Sequence, residues 1–251
     1  MLNQSRMWAF LSRLKKRIKY AGLNQYCPVC KGYIRRFFLH GNPPREHARC
    51  PVCGSLERHR LDWLMFKKNT DLFNGKPKTM LHIAPEKFME VRFKRIKNLN
   101  YLSADLNRPN VMVKLDITDI SCLDNTFSLI YCSHVLEHVQ NDHKVLTEFY
   151  RVLKPNGWAV LQVPITTDKT YENPAITEPE DKKKNFGQCD HVRRCGPDYI
   201  ERMKSAGFIT KRLYATNLLN ESECARMGIQ LDRLIFFCRK QPPKKSLNET
   251  H

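Results

Sequence analysis

Phe127-Ser128-Leu129-Ile130-Tyr131-Cys132-Ser133-His134-Val135-Leu136-Glu137-His138-Val139 opens as an apolar run and closes on polar, titratable residues. A short apolar run of this kind reads as a strand buried on both faces, and burial on both faces belongs to parallel sheets. The polar residues then fall at the strand's carboxyl end, where open α/β sheets bind their ligands.

The pattern continues in both directions. His143–Leu153 repeats Val145, Leu146, Phe149, Val152 and Leu153 on one helical face, with Asn141 or Asp142 as cap. Pro155-Asn156-Gly157 is expected to end that helix before a strand at Trp158–Val163. Upstream, Met80–Ile83, Tyr101–Ala104 and Val111–Leu115 read as strands and Glu86–Ile96 as a helix. Downstream, Pro197–Ala206 reads as a helix, and Phe208–Tyr214 and Leu234–Cys238 as the last strands. This alternation predicts an α/β domain over 78–239 with a largely parallel sheet. Only 165–196 breaks the rhythm. A connection that long, after a strand's carboxyl end, is expected to be a lid or substrate loop.

Asn74-Gly75-Lys76-Pro77 marks a boundary, and a different chemistry precedes it. Cys27-Pro28-Val29-Cys30 and Cys50-Pro51-Val52-Cys53 flank the span 31–49. Two such knuckles at this spacing are a zinc signal, since four thiolates satisfy tetrahedral Zn²⁺ and leave no open position. Cys27, Cys30, Cys50 and Cys53 are thus expected to hold a structural ion, with 27–70 forming a zinc ribbon and a following helix. Of the ten cysteines, Cys122, Cys132, Cys224 and Cys238 read as small core residues. The Cys189–Cys195 segment offers ligand types at irregular spacing and is not read as a metal site. His40, His47 and His59 are not counted as ligands.

Lys and Arg number 43 against 25 Asp and Glu, a net charge of +18. The excess sits mainly in the segment 1–70 and in the tail. RNA, an anionic membrane surface or an acidic glycan would answer it. Within the basic segment 1–26, residues 5–20 are predicted to be a helix with Met7, Leu11, Leu14 and Ile18 on one stripe among Arg13, Lys15, Lys16, Arg17 and Lys19. Such a helix is expected to dock on its own domain, with an anionic membrane as the alternative. Arg35, Arg36, Phe37 and Phe38 mix charge and aromatics as RNA stacking wants. The polar tail 240–251 is expected to be disordered. No apolar run reaches about 18 residues, and the thiols suit a reducing, cytoplasmic location.

The loop after the first strand of the sheet, Leu81-His82-Ile83-Ala84-Pro85-Glu86, has no glycine. Pyrophosphate binding needs glycine there, so a dinucleotide is disfavoured and S-adenosylmethionine allowed. Asp105, about 20 residues on, is placed to accept from ribose hydroxyls. Asp116-Ile117 would offer an adenine edge and face.

With Leu81–Glu86, Asp105, Asp116-Ile117, Phe127–Val139 and Glu148-Phe149-Tyr150-Arg151-Val152-Leu153-Lys154-Pro155-Asn156-Gly157-Trp158, the order of pieces over 78–239 resembles class I S-adenosylmethionine-dependent methyltransferases of type 11. Within that class it resembles a group with a preceding zinc ribbon and with Phe186-Gly187-Gln188 and Asp190-His191-Val192-Arg193 in the long loop. The resemblance implies a Rossmann-like seven-stranded sheet, S-adenosylmethionine as cofactor and transfer of its methyl group. Ala84 and Glu86 would line the methionine end, and His82, standing where the family has an acidic residue, would be cofactor-binding with them. Asp105 would hold the ribose, Asp116 and Ile117 the adenine, and Ser133 and His134 would face the sulfonium.

For a nucleophile needing a base, His191 in the lid loop is the first candidate, oriented by Asp190, with His134 next. Arg193 and Gln188 would bind substrate. His134–His138 also spells H-x-x-E-H, but that metalloprotease motif needs a helix, and here it begins where a strand ends. A small molecule or glycan precursor is the expected acceptor. RNA is one alternative, and a binding module that has lost its donor is another.

Overall fold

The structure, a computed structural model, describes residues 4–242. The tail expected over 240–251 lies outside the described residues from 243 on. The chain divides into two compact units. The smaller runs to Gly75 and takes in Lys87–Arg92 and Leu213–Leu234; the larger is Lys76–Glu86, Phe93–Arg212 and the chain from Ile235. These are not the contiguous segments 27–70 and 78–239 expected from the sequence.

The smaller unit begins with helix α1 (Gln4–Lys19). Strands β1 (Gln25–Cys27) and β2 (Gly32–Ile34) form one antiparallel pair, β3 (Phe38–His40) and β4 (Arg45–Arg49) another. Helix α2 (Glu57–Asn69) follows. The expected docking of α1 does not occur: Met7, Leu11, Leu14 and Ile18 are each at least 43% exposed. The helix is held instead near its end, where Arg17 donates to the carbonyl of Cys30.

Arg60 on α2 is fully buried. Its five N–H groups donate to five carbonyls: Nε to Met227, Nη1 to Ala48 and Ser55, Nη2 to His47 and Gly228. Its guanidinium lies 3.8 Å from the ring centroid of Phe37. A planar fork satisfies such a set and an ammonium cannot. This socket explains why 213–234 belongs with the N-terminal segment. It also takes Phe37 out of the stacking surface expected for RNA, leaving Phe38 half-buried. Phe37 is buried under Arg60, Phe38 meets the edge of Tyr20 at 5.3 Å, and Arg35 donates to the carbonyl of Ala21.

The larger unit carries strand β5 (Lys78–Ile83), helix α3 (Lys87–Phe93, all but its last residue in the smaller unit), β6 (Leu99–Asp105), β7 (Val113–Lys114) and β8 (Phe127–Ser133). Helix α4 (Asp142–Val152), β9 (Leu153–Gln162), β10 (Tyr171–Glu172), α5 (Pro179–Phe186), β11 (Arg193–Arg194), α6 (Ile200–Ser205), β12 (Ile209–Tyr214) and β13 (Leu234–Arg239) complete it. The main sheet has seven strands in the order β12-β13-β9-β8-β5-β6-β7. Strands β5 to β9 run parallel, and β13 is antiparallel to β9. The chain moves outward one way from β5 and the other way from β8, so the order reverses between them. A crevice at such a switch point, outside the carboxyl ends, is where a ligand binds.

Three local expectations change. Pro155-Asn156-Gly157 is no stop: α4 runs directly into β9, whose start is bulged against β8. A side chain at Gly157 would sit 2.7 Å from the carbonyl of Lys154. The helix expected from Pro197 begins as a 3₁₀ turn, Pro197–Tyr199, before α6. The 165–196 connection is ordered by α5 and by the antiparallel pairing of Tyr171 with Arg194 and Glu172 with Arg193. Asn141 is the cap of α4, accepting from the Lys144 N–H at 2.9 Å. Cys132, Cys224 and Cys238 are buried, whereas Cys122 is only half-buried.

Arg60→Ala is expected to lower unfolding stability by about 3 kcal/mol, because it orphans buried carbonyls. Arg60→Lys should recover less than half of that. Denaturant midpoints of the full chain measure both.

Candidate functional site

The carboxyl edge is built on two strained residues. Ala84 follows β5 with φ 47° and His134 follows β8 with φ 57°, a left-handed conformation that costs a residue with a Cβ roughly 1–2 kcal/mol. Hydrogen bonds to neighbouring strands hold them there: Ala84 N–H to the Ala104 carbonyl, and His134 N–H to the Gln162 carbonyl, both at 2.9 Å. Strain of this kind gathers at functional sites. Ser133 lies between, its Oγ buried and without a hydrogen-bond partner. A sealed hydroxyl in that condition calls for an explanation.

His82 is not on the surface of this edge. It is fully buried, with Nδ1 2.9 Å from the Tyr101 hydroxyl and its ring against Phe93 and Tyr131. Nε2 faces the Glu86 carboxylate at 3.6 Å. It therefore backs Glu86 and cannot itself touch a cofactor. Asp105 ends β6, its Oδ1 accepting from the Asn107 and Arg108 N–H groups at 2.8 Å. That turn leaves Oδ2 as the acceptor for another donor. The Arg108 guanidinium donates to the Pro85 carbonyl and ties this turn to the first loop. Beyond β7, exposed Asp116 accepts from the Thr118 N–H and hydroxyl, which hold its carboxyl below the usual range. Ile117 beside it is buried, so a polar edge adjoins an apolar face.

The H-x-x-E-H residues form a turn, not a helix. His134 Nδ1 lies 3.2 Å from Glu137 Oε1, and Glu137 is 1% exposed. The long connection brings its own residues here. His191 is buried against His138, ring centroids 4.7 Å apart, and burial followed by that neighbour pushes its pKa down. Asp190 pairs with His138 Nδ1 at 3.2 Å, so it orients His138 and not, as expected, His191. Gln188 is exposed.

Arg193 is expected from sequence to bind substrate, but it is buried and occupied. Nε donates to Glu172, Nη1 to the Leu136 and Val139 carbonyls, and Nη2 to the Gln140 carbonyl. It is a strut between the connection and the turn after β8. No sequence signal points to this, because most of its partners are backbone carbonyls. His138 also escapes sequence reasoning, where it is only the last residue of H-x-x-E-H.

In the smaller unit the four knuckle cysteines converge. Cys27 Sγ and Cys53 Sγ are 3.8 Å apart, Cys30 Sγ and Cys50 Sγ 3.9 Å. A tetrahedral ion with bonds of about 2.3 Å needs sulfur separations of about 3.8 Å, so the donor set fits Zn²⁺. Among the described residues no histidine joins this cluster. His59 instead accepts from the Leu56 N–H.

Residues 89–161 match a methyltransferase domain family. Comparison with curated proteins gives no match. Among solved structures, an S-adenosylmethionine-dependent methyltransferase from Mesorhizobium loti is 13% identical, with a TM-score of 0.52, covering 72% of this chain and 98% of that one. The 1,6-didemethyltoxoflavin-N1-methyltransferase of Burkholderia thailandensis is also 13% identical, with a TM-score of 0.49, covering 74% and 78%. The fold of the larger unit is the Rossmann-like seven-stranded methyltransferase sheet.

Ala84→Gly removes the left-handed strain at some cost in backbone entropy. The full chain is expected to gain roughly 0.5–1 kcal/mol, read from its denaturant midpoint.

Proposed function

We propose that the chain is an S-adenosylmethionine-dependent methyltransferase acting on an oxygen or nitrogen nucleophile of a small molecule or glycan precursor. The observation that carries this reading is the convergence of Ala84, Asp105, Ser133 and His134 on the carboxyl edge where the strand order reverses. The cofactor, when bound, supplies an electrophilic methyl group on sulfonium sulfur. Ala84 and Glu86 line its methionine end, and Asp105 Oδ2 accepts from the ribose hydroxyls. Asp116 and Ile117 take the adenine edge and face, while Ser133 and His134 border the sulfonium. The glycine-free first loop suits this ligand, which carries no pyrophosphate.

On the acceptor side stand His191 and His138, the latter oriented by Asp190. His191 is held neutral and is the residue assigned to the acceptor's proton. The 165–196 connection, anchored by Arg193, keeps water from the reacting atoms, and Gln188 on its exposed side meets the substrate. Cys27, Cys30, Cys50 and Cys53 hold a structural Zn²⁺ that ties the end of β1 to the turn after β4. A reducing, cytoplasmic setting fits thiols used this way. An RNA acceptor is the weaker reading, because Phe37, one of the two aromatic residues that would stack bases, is buried under Arg60.

Calorimetry of the full chain with S-adenosylmethionine and S-adenosylhomocysteine tests the donor. Both are expected to bind one per chain, and Asp105→Ala to weaken binding about 10–100-fold, the scale of hydrogen bonds to a charged acceptor. Silence with both ligands would leave only a binding module. A second measurement concerns the sulfur cluster. Elemental analysis should find one thiolate-bound zinc per chain, lost in Cys27→Ser/Cys53→Ser, and a strong chelator should unfold the smaller unit.

A further inference from the structure

We propose that Glu137, His138 and His191 form a second metal site, for a divalent ion of the zinc class, and that this ion binds an oxygen of the methyl acceptor. The role given to the bound oxygen rests on the methyl-transfer reading; the ion site does not.

One ligand atom from each residue lies within 4.8 Å of the other two. Zinc bonds of about 2.0–2.1 Å ask for separations of about 3.4 Å. Contraction by an ångström or so is within reach of side-chain rotation, since His138 is one-third exposed. Two imidazoles and a carboxylate make the set typical of zinc sites that keep an open position. The other members of the neighbourhood support it. Asp190 holds His138 Nδ1, which fixes the ring and leaves Nε2 as the nitrogen for the ion, as a carboxylate commonly does for a metal-bound histidine.

The two segments supplying the ligands are joined rigidly. The Val192 N–H donates to the Glu137 carbonyl at 2.9 Å, and Arg193 holds the carbonyls of Leu136, Val139 and Gln140. Glu137 and Asp190 bring two carboxyl groups to the cluster, the donor chemistry a dication takes. Because Glu137 is only 1% exposed, water screens little of its attraction for a cation.

The arrangement is not the metalloprotease one. His134, the first histidine of the motif, turns to Glu137, and the third ligand, His191, comes from the long connection. The sulfur cluster has all four positions filled by protein. This one has three, leaving a place for a ligand beside His134 at the carboxyl edge. An ion there lowers the pKa of a coordinated oxygen toward neutrality. With the ion bound, His191 is a ligand and no longer the base: a hydroxyl on the ion gives its proton to solvent past His138 and is held as the nucleophile. The acceptor class is therefore an alcohol or phenol oxygen, not an amine.

The test uses the full chain exchanged with Co²⁺, followed by elemental analysis and absorption spectra. Two ions per chain are expected, only one of them giving sulfur-to-cobalt charge transfer. His191→Ala and His138→Ala should each lose one ion, keep that band and keep the wild-type affinity for S-adenosylhomocysteine. Glu137→Gln, the variant least disturbing to packing, should weaken the second ion at least about 10-fold. One ion per chain in the wild type, or two retained in these variants, would overturn the site. Two ions with no affinity for S-adenosylmethionine would instead remove the methyl-transfer reading and leave the site standing.

Discussion

The buried guanidinium of Arg193 is the interaction on which the candidate site depends. It joins the turn after β8 to the long connection by donating to the carbonyls of that turn and to Glu172. Around it, Glu172 also pairs with Arg202, and Arg202 and the Tyr199 hydroxyl both meet Asp142. Such a network stabilises little by itself, because each charge must first lose its water. Its value is geometric. Every member is satisfied only when the turn and the connection take one arrangement, and that arrangement places His191 against His138.

The carboxyl edge shows the same economy in the backbone. Ala84 and His134 occupy left-handed conformations at the ends of adjacent strands. Each is held by an N–H bond to the strand beyond. The sheet thus fixes the exit direction of both chains where the strand order reverses. The absence of glycine in the first loop does not alter the turn; it moves the conformational cost from chain entropy to steric strain.

Much of this was legible in the residues. The run Phe127–Cys132 could only be a buried strand, and the apolar face from Val145 to Val152 could only be a helix packed on it. Once those were placed, the crevice followed from topology. What stayed hidden has physical reasons. The very short strands of the cysteine-rich segment give alternation too little length to register. His82 sits where the predicted strand Met80–Ile83 meets the cofactor loop and reads by its polarity as part of the loop, yet the pleat turns it into an aromatic core. Asn141 and Asp142 look interchangeable as caps, but one binds the helix end and the other a buried tyrosine. Arg193 gave no signal because carbonyl partners leave no trace in side-chain pattern.

The socket around Arg60 has a consequence for how the protein is made. Three of its carbonyls belong to His47, Ala48 and Ser55, and two to Met227 and Gly228. A nascent chain emerging from the ribosome holds the arginine long before it holds the last two acceptors. The segment up to Gly75 can reach its finished form only after Gly228 has been added. Synthesis from one end would ordinarily let the leading part settle early, and here the order is inverted. A fragment ending at Gly75 would carry a buried cation two acceptors short.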